Sequence, residues 1–435
     1  MQASLETISS LERRLSVTMP LDEVNAEVET RLKRLARTVK LHGFRPGKVP
    51  MRIVEQQYGG QVRQEVFGDA VQKSFGEAVR EKNLRVAGYP NIEVKSAENE
   101  VGHFEYTATF EIYPDVSVSS LGDTVIEQPK VDVGDAQVDK TVEMLRKQRA
   151  VFEPVDQAAA SGDQVLMDYK GSINGELFEG GSGEGVSVQL GEGRLLPDFE
   201  ANVSGLKAGE SKTFDLSFPD DYHGKDVAGK TASFEVKVIE VRGPKLPELD
   251  AEFAKSLGVE DGDIEKMRSE VKANLEREVT RRASVRVKEQ AMKALLDATK
   301  IELPKSLIDL EVERLTRNMR QDLESRGMKS DQIPLPREAF EEEAKRRVQL
   351  GLIVAEVVRK NGLEAKPDQI KGMVTELSRS YEKPDEVMRW YYQTPERLRE
   401  VESIVLEDNV VQWVLGQAKV EDKATEFDDL MGEGK

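Results

Sequence analysis

Chemistry that needs a nucleophile or a proton relay has little to draw on here. Cysteine is absent, and the three histidines, His42, His103 and His223, lie far apart, so thiolates, disulfides and ordinary zinc sites lack raw material. Residues 41–52, LHGFRPGKVPMR, offer something else. Phe44, Arg45, Lys48 and Arg52, with Lys40 just upstream, stand among two glycines and two prolines with no carboxylate nearby. Pro46 biases Arg45 toward extended backbone and Gly43 and Gly47 bracket the turn, so part of the ordering cost is met in advance. Such a tip suits docking on an anionic, partly protein surface, where Arg makes bidentate contacts and Phe fills a pocket. The spacing is equally compatible with Phe44 folding back on the preceding helix while the charges form a solvated face.

The elements that must hold this loop are legible around it. Val24, Val28, Leu32, Leu35 and Val39 repeat at helical spacing behind a capping Asp22, Gly43 sits where a helix end favours a left-handed residue, and Pro50 can open a second helix. A third helix is predicted over 61–82. Residues 11–19 read as a strand, and 103–113 place Phe104, Tyr106, Ala108, Phe110 and Ile112 on one face of another. Residues 1–115 are therefore expected to be a small α+β domain with a cationic helix–loop–helix. Residues 116–149 read as a connector ending in a short helix with Val138, Val142 and Leu145 on one face. From 150 to 244 glycine-rich turns separate short alternating strands, and 245–435 read as helical near 263–299, 305–326, 337–360, 368–379 and 395–418, with a loose tail FDDLMGEGK. The fold class is multidomain α+β with a mostly helical C-terminal body.

Bulk numbers narrow the function. The 435 residues exceed one ordinary core. A net charge of −18 disfavours a general nucleic-acid binder. The acid excess is uneven: −1 over 1–115 (16 Lys and Arg against 17 Asp and Glu), −1 over 116–149 (5 against 6), −9 over 150–244 (8 against 17) and −7 over 245–435 (34 against 41). Within the near-neutral first part, residues 30–54 carry eight cations, Arg31, Lys33, Arg34, Arg37, Lys40, Arg45, Lys48 and Arg52, and no acid. The start MQASLETISS has no apolar core of signal-peptide length and no uncharged apolar run approaches roughly 18 residues, so a cytoplasmic protein without a membrane partner is expected. No P-loop occurs, and the lone Gly191-x-Gly193 is no dinucleotide site; neither a cofactor nor a metal is expected.

The pattern Gly43-Phe44-Arg45-x-Gly47-x-x-Pro50 resembles the signature of the trigger factor family of bacterial ribosome-associated chaperones, and the likeness extends along the whole chain in domain order. It implies a ribosome-docking domain, a connector packing with the C-terminal body, an FKBP-like isomerase domain with a short helix, and a helical body with arms that bind unfolded nascent polypeptides. The docking set it implies is Gly43, Phe44, Arg45, Pro46, Gly47, Lys48 and Pro50, meeting an exit-tunnel protein and ribosomal RNA; a weak homodimer off the ribosome is open. Pro46 stands where some members carry lysine, leaving the third contact of the tip lost or supplied by Lys48. In the middle domain DYKG (168–171), LFEGG (177–181), LGEGRLLPDFEANVSGLKAGE (190–210) and the segment 218–241 look like an FKBP-type prolyl isomerase. The resemblance places Tyr169, Phe178, Leu195, Leu196, Phe199, Tyr222 and Phe234 around its pocket, with Glu179 at the polar edge and Phe199 where many FKBPs have tryptophan.

Residue types suit that reaction. Prolyl isomerisation meets a barrier of about 18–20 kcal/mol from broken amide resonance. A dry aromatic pocket disfavours the polar planar amide relative to the twisted one, and about 4 kcal/mol of difference accelerates the step roughly a thousandfold. The same aromatics would equally form the core of a small β domain. In the body, Met267, Met292, Met319, Met328, Met373, Met388 and Met431 suit either an adaptable client surface or ordinary core. Two rivals to a docked chaperone with auxiliary isomerase activity are an isomerase whose body delivers substrate, and an assembly factor for folded ribosomal subunits.

Overall fold

The computed structural model describes residues 2–432 apart from 43, 45–47, 96–101, 220, 221, 223, 225, 226, 329–332, 380 and 382, and apart from the Glu179 side chain. Gly43, Arg45, Pro46 and Gly47 of the predicted tip, and Glu179 at the predicted pocket edge, thus lie outside the described residues. In chain order come β1 (Gln2–Thr7), β2 (Glu12–Pro20), α1 (Leu21–Thr38), α2 (Met51–Glu81), β3 (Val86–Val94), β4 (His103–Ile112), β5 (Val125–Lys130), α3 (Asp135–Gln148), β6 (Val151–Pro154), β7 (Gln164–Ile173), β8 (Glu176–Gln189), α4 (Pro197–Val203), β9 (Ser211–Ser217) and β10 (Thr231–Lys245). Helices then dominate: α5 (Ala251–Ser256), α6 (Ile264–Asp297), α7 (Lys305–Ser325), α8 (Glu338–Asn361), α9 (Pro367–Ser378), α10 (Pro384–Tyr392) and α11 (Pro395–Gln417), followed by β11 (Lys419–Ala424) and α12 (Phe427–Met431). Two compact units result, residues 1–128 with 286–422, and residues 129–285 with 423–435.

In the first unit an antiparallel sheet ordered β1-β2-β4-β3 lays one face under α1 and α2. The period of two puts Leu15 and Val17 of β2 and Phe104, Tyr106, Ala108 and Phe110 of β4 on that face, all buried. Phe67 and Phe75 of α2 meet Phe104 and Phe110 edge-on at 4.8 and 5.2 Å. Burial raises the Tyr106 phenol above its ordinary pKa, an effect its 2.8 Å hydrogen bond with Ser74 partly offsets. Two expectations change. Asp22 does not cap α1: the helix starts at Leu21 behind Pro20, and Asp22 lies in its first turn, where a carboxylate favours the positive helix end. The helices expected from Pro50 and from 61 are one, α2, because Val54, Val62, Val66 and Val71 continue a single buried stripe across Gly59 and Gly60. Burying that stripe offsets the roughly 1 kcal/mol each interior glycine costs.

A second core in this unit joins Val116, Leu121 and Ile126 to the end of α6 (Ala291, Leu295), α8 (Ile353, Val357) and α11 (Val410, Val414). A smaller cluster holds α9 to α11 through Val374, Val401 and Val405. α10, not anticipated from the sequence, buries none of its residues fully. In the second unit α3 packs Val138 and Val142 on Phe253, Met267 and Val271. The tail is not loose through Met431: α12 buries Phe427 and Leu430 against Val133 and Val279, while Gly432, at φ 77°, ends the helix in left-handed geometry. Among the described residues no helix is long and apolar enough to cross a membrane.

Candidate functional site

Strands β6 to β10 form an antiparallel sheet ordered β6-β10-β7-β8, with β9 also paired to β10. Asn174 and Gly175, both at positive φ, turn β7 into β8. Gly185 N donates to Asp168 at 2.7 Å and ties the far part of β8 back to β7. α4 begins with Pro197 at its first position; Leu196, extended at φ −61° and ψ 137°, accepts from the backbone N–H of Phe199 and Glu200. That geometry turns Phe199 inward from the helix while Leu195 and Leu196 remain half-buried beside it.

One ring organises the site. Phe234 of β10 lies 5.3 Å from Phe199 at 86°, 6.1 Å from Phe178 at 87° and 6.4 Å from Tyr169. Phe199 and Phe234 are buried, whereas Tyr169, Phe178 and Tyr222 are only partly so. Edge-to-face packing of this kind is directional and adds about 0.5–1.5 kcal/mol per pair beyond area burial. Four of the predicted pocket residues therefore meet ring to ring; Leu195, Leu196 and Tyr222 pack on the same cluster, Tyr222 through Phe218 at 4.8 Å. The arrangement offers a partly open apolar wall on a rigid aromatic floor. Among the described residues no cluster of three His, Cys, Asp or Glu could hold a metal.

Sequence reasoning missed two rings and three glycines. Phe214 and Phe218 reach Phe234 at 6.2 and 6.3 Å; the alternation Phe214, Leu216, Phe218 in SKTFDLSF could have revealed them. Gly171, Gly181 and Gly183 make room for the rings. A Cβ at Gly171 would stand 2.6 Å from Phe234, one at Gly181 2.7 Å from Phe178, and one at Gly183 2.9 Å from Tyr169. These glycines are needed for space rather than backbone freedom.

The cationic loop is built differently. α1 ends at Thr38 with Val39 extended, earlier than the Gly43 stop expected from the sequence. Phe44 N donates to the Leu41 carbonyl at 3.1 Å, Val49 is buried in the helix–sheet core, and Pro50 precedes α2. Between these anchors Phe44 is 38% exposed, and Lys48 and Pro50 are exposed too. Arg31 pairs with Asp69 and Glu27, and Lys33 with Glu29. Among the described residues Arg34, Arg37, Lys40, Lys48 and Arg52 are exposed and have no acidic partner. In the helical segments Met267 and Met292 are core, Met373, Met388 and Met431 are half-buried, and Met319 and Met328 are exposed, as are Leu310, Tyr381, Trp390 and Tyr392.

Residues 1–145 match the family described as bacterial trigger factor protein, residues 263–416 its C-terminal region, and residues 155–239 the FKBP-type peptidyl-prolyl cis-trans isomerases. The trigger factor of Nitrosospira multiformis is 54% identical over 433 residues, covering 99% of this chain and 100% of the relative. The chain belongs to the trigger factor family. Trigger factors of Aromatoleum aromaticum (53% identical, covering 99% of each chain) and Thiobacillus denitrificans (51%, covering 99% of this chain and 100% of the relative) agree along the same length. As a trigger factor it is a ribosome-binding chaperone for nascent chains, and its FKBP-type domain makes it a peptidyl-prolyl isomerase.

Proposed function

We propose that the α1–α2 loop is the ribosome anchor, with Phe44 entering a pocket of an exit-tunnel protein and the cations around it meeting ribosomal RNA phosphates. The observation that carries this is an exposed phenylalanine among five exposed, acid-free cations on a chain of net charge −18. Gly43, Arg45, Pro46 and Gly47 complete the tip, Arg45 as a bidentate phosphate contact and Lys48 in place of the lysine that Pro46 displaces. Residues 1–115 then act as the docking domain, 116–149 as connector, 150–244 as isomerase and 245–435 as the client-binding body. In the isomerase, Tyr169, Phe178, Leu195, Leu196, Phe199, Tyr222 and Phe234 bind the prolyl ring, with Glu179 assigned to the polar edge by the family resemblance. Leu310, Met319, Met328, Tyr381 and Trp390 supply weak, adaptable client contacts, and release follows from their multivalency without ATP. The protein works in the cytoplasm.

Phe44→Ala with Arg45→Ala abolishes co-sedimentation with ribosomes and leaves prolyl isomerisation of a short peptide intact; unchanged co-sedimentation would discard the docking reading. In an aggregation assay, deletion of 152–242 keeps suppression if the body holds clients, and removes it if isomerisation is the main function.

A further inference from the structure

Helix α7 starts without a cap of its own. Its N-cap is Pro304, which makes no side-chain cap bond, and its first turn contains no acid, so its leading amides need an outside acceptor. The acceptor lies 194 residues away in sequence. Glu111 on β4 accepts from Lys305 N through Oε1 at 2.9 Å and from Ser306 N through Oε2 at 2.7 Å, and its charge faces the positive end of the helix. Ser306 Oγ donates to the Ala87 carbonyl of β3 at 2.9 Å. Gly88, at φ 74°, lets that strand come so close that a Cβ there would stand 2.6 Å from Ser306 Cβ. Ser10, in the turn between β1 and β2, donates to Glu302 just before α7. The N-terminal sheet thus grips the root of α7 at three places, and a carboxylate bound through both oxygens fixes direction as well as distance.

We infer that Glu111 is a positioning residue: it holds α7, with α8 packed along it, at a set angle to the N-terminal sheet, so that docking through the α1–α2 loop also aims the apolar side chains Leu310, Met319 and Met328. This rests on the docking and client reading above. The lever is long, because the 21 residues of α7 span about 30 Å, and a tilt of about 20° at the root would carry the tip about 10 Å. A cap serving only helix stability could have been supplied by Asp or Ser at position 304; taking it from the sheet couples two regions.

The chain lacks cysteine, so spin labels on Thr7→Cys and Arg320→Cys report the sheet-to-arm distance in the full-length protein. The parent shows one narrow distance population. Glu111→Ala broadens it and speeds hydrogen exchange at Lys305 and Ser306 about tenfold. Adding Pro304→Asp restores a cap within α7 and slows exchange at Ser306, yet the distances stay broad. On translating ribosomes, crosslinking from Met328→Cys to the emerging chain falls severalfold in both variants, while co-sedimentation and peptide isomerisation are unchanged. A narrow population in the Glu111→Ala variant, or its return on adding Pro304→Asp, would reduce Glu111 to an ordinary cap and overturn the inference. Failure of the parent to co-sediment would instead defeat the docking reading, and the distance measurement would still judge the tether.

Discussion

The aromatic cluster around Phe234 and the cationic loop use opposite physics within one chain. Around Phe234 the rings are fixed by one another and by glycines that leave room for them, and charge plays little part in the packing. Around Phe44 the exposed cations among the described residues stand without acidic partners, and Val39, Leu41 and Val49 anchor the loop on the helix–sheet core. Packing errors of an ångström should therefore cripple the first site and leave the second untouched, while salt should do the reverse.

Gly171→Ala probes the packing side hardest. The new Cβ would meet Phe234 Cε1 at 2.6 Å, and relieving that clash costs about 1–3 kcal/mol of domain stability. A ring displaced by about 1 Å lowers kcat/KM for a prolyl peptide up to roughly a hundredfold. Ribosome co-sedimentation is expected to stay at the parent level; a parallel loss would show that the two sites are not independent. Glu278 sharpens the electrostatic side from a different direction, because its ion pairs are already made. The Arg281 guanidinium, and then that of Arg282, hold its carboxyl at about 2, against 4.5 for a free glutamate. A folded-state pKa below the unfolded one stabilises above the unfolded value, and the contribution is lost as pH falls through the folded one. Glu278→Gln should therefore lower stability at neutral pH by no more than about 1 kcal/mol, as for other partly exposed pairs. Denaturant melts of the two proteins should converge between about pH 4.5 and about pH 2. A gap that persists at pH 2 would assign the effect to packing instead of charge.

How much of this was readable in advance follows the same division. Alternation exposed the inward faces of β2 and β4, and helical spacing exposed the stripe of α1, because burial imposes those periods directly. The rings Tyr169, Phe178, Phe199 and Phe234 were singled out by family resemblance, and they do meet in one core cluster; periodicity alone could not separate a pocket wall from core. Gly171 was not legible as a spacer because the rings it accommodates, Phe234 and Phe178, sit on other strands. The Glu111 bond to α7 was invisible for the same reason: a carboxylate on a strand reads as a solvated charge until a helix from 194 residues away arrives. α12 escaped because five residues are too few for a period, and Phe427 and Leu430 are ordered by partners at Val133 and Val279.

The division between the two sites is tested most directly by one salt series on a single preparation, reading ribosome affinity and prolyl isomerisation together between about 50 and about 200 mM. Docking affinity should fall linearly on logarithmic axes, the slope flattening by about one unit for each phosphate-contacting cation replaced among Arg34→Gln, Arg37→Gln and Arg52→Gln. Over the same range kcat/KM for the peptide should stay within about twofold, since apolar packing is little screened. A docking affinity that ignores salt, or isomerisation that falls in step with it, would contradict the account.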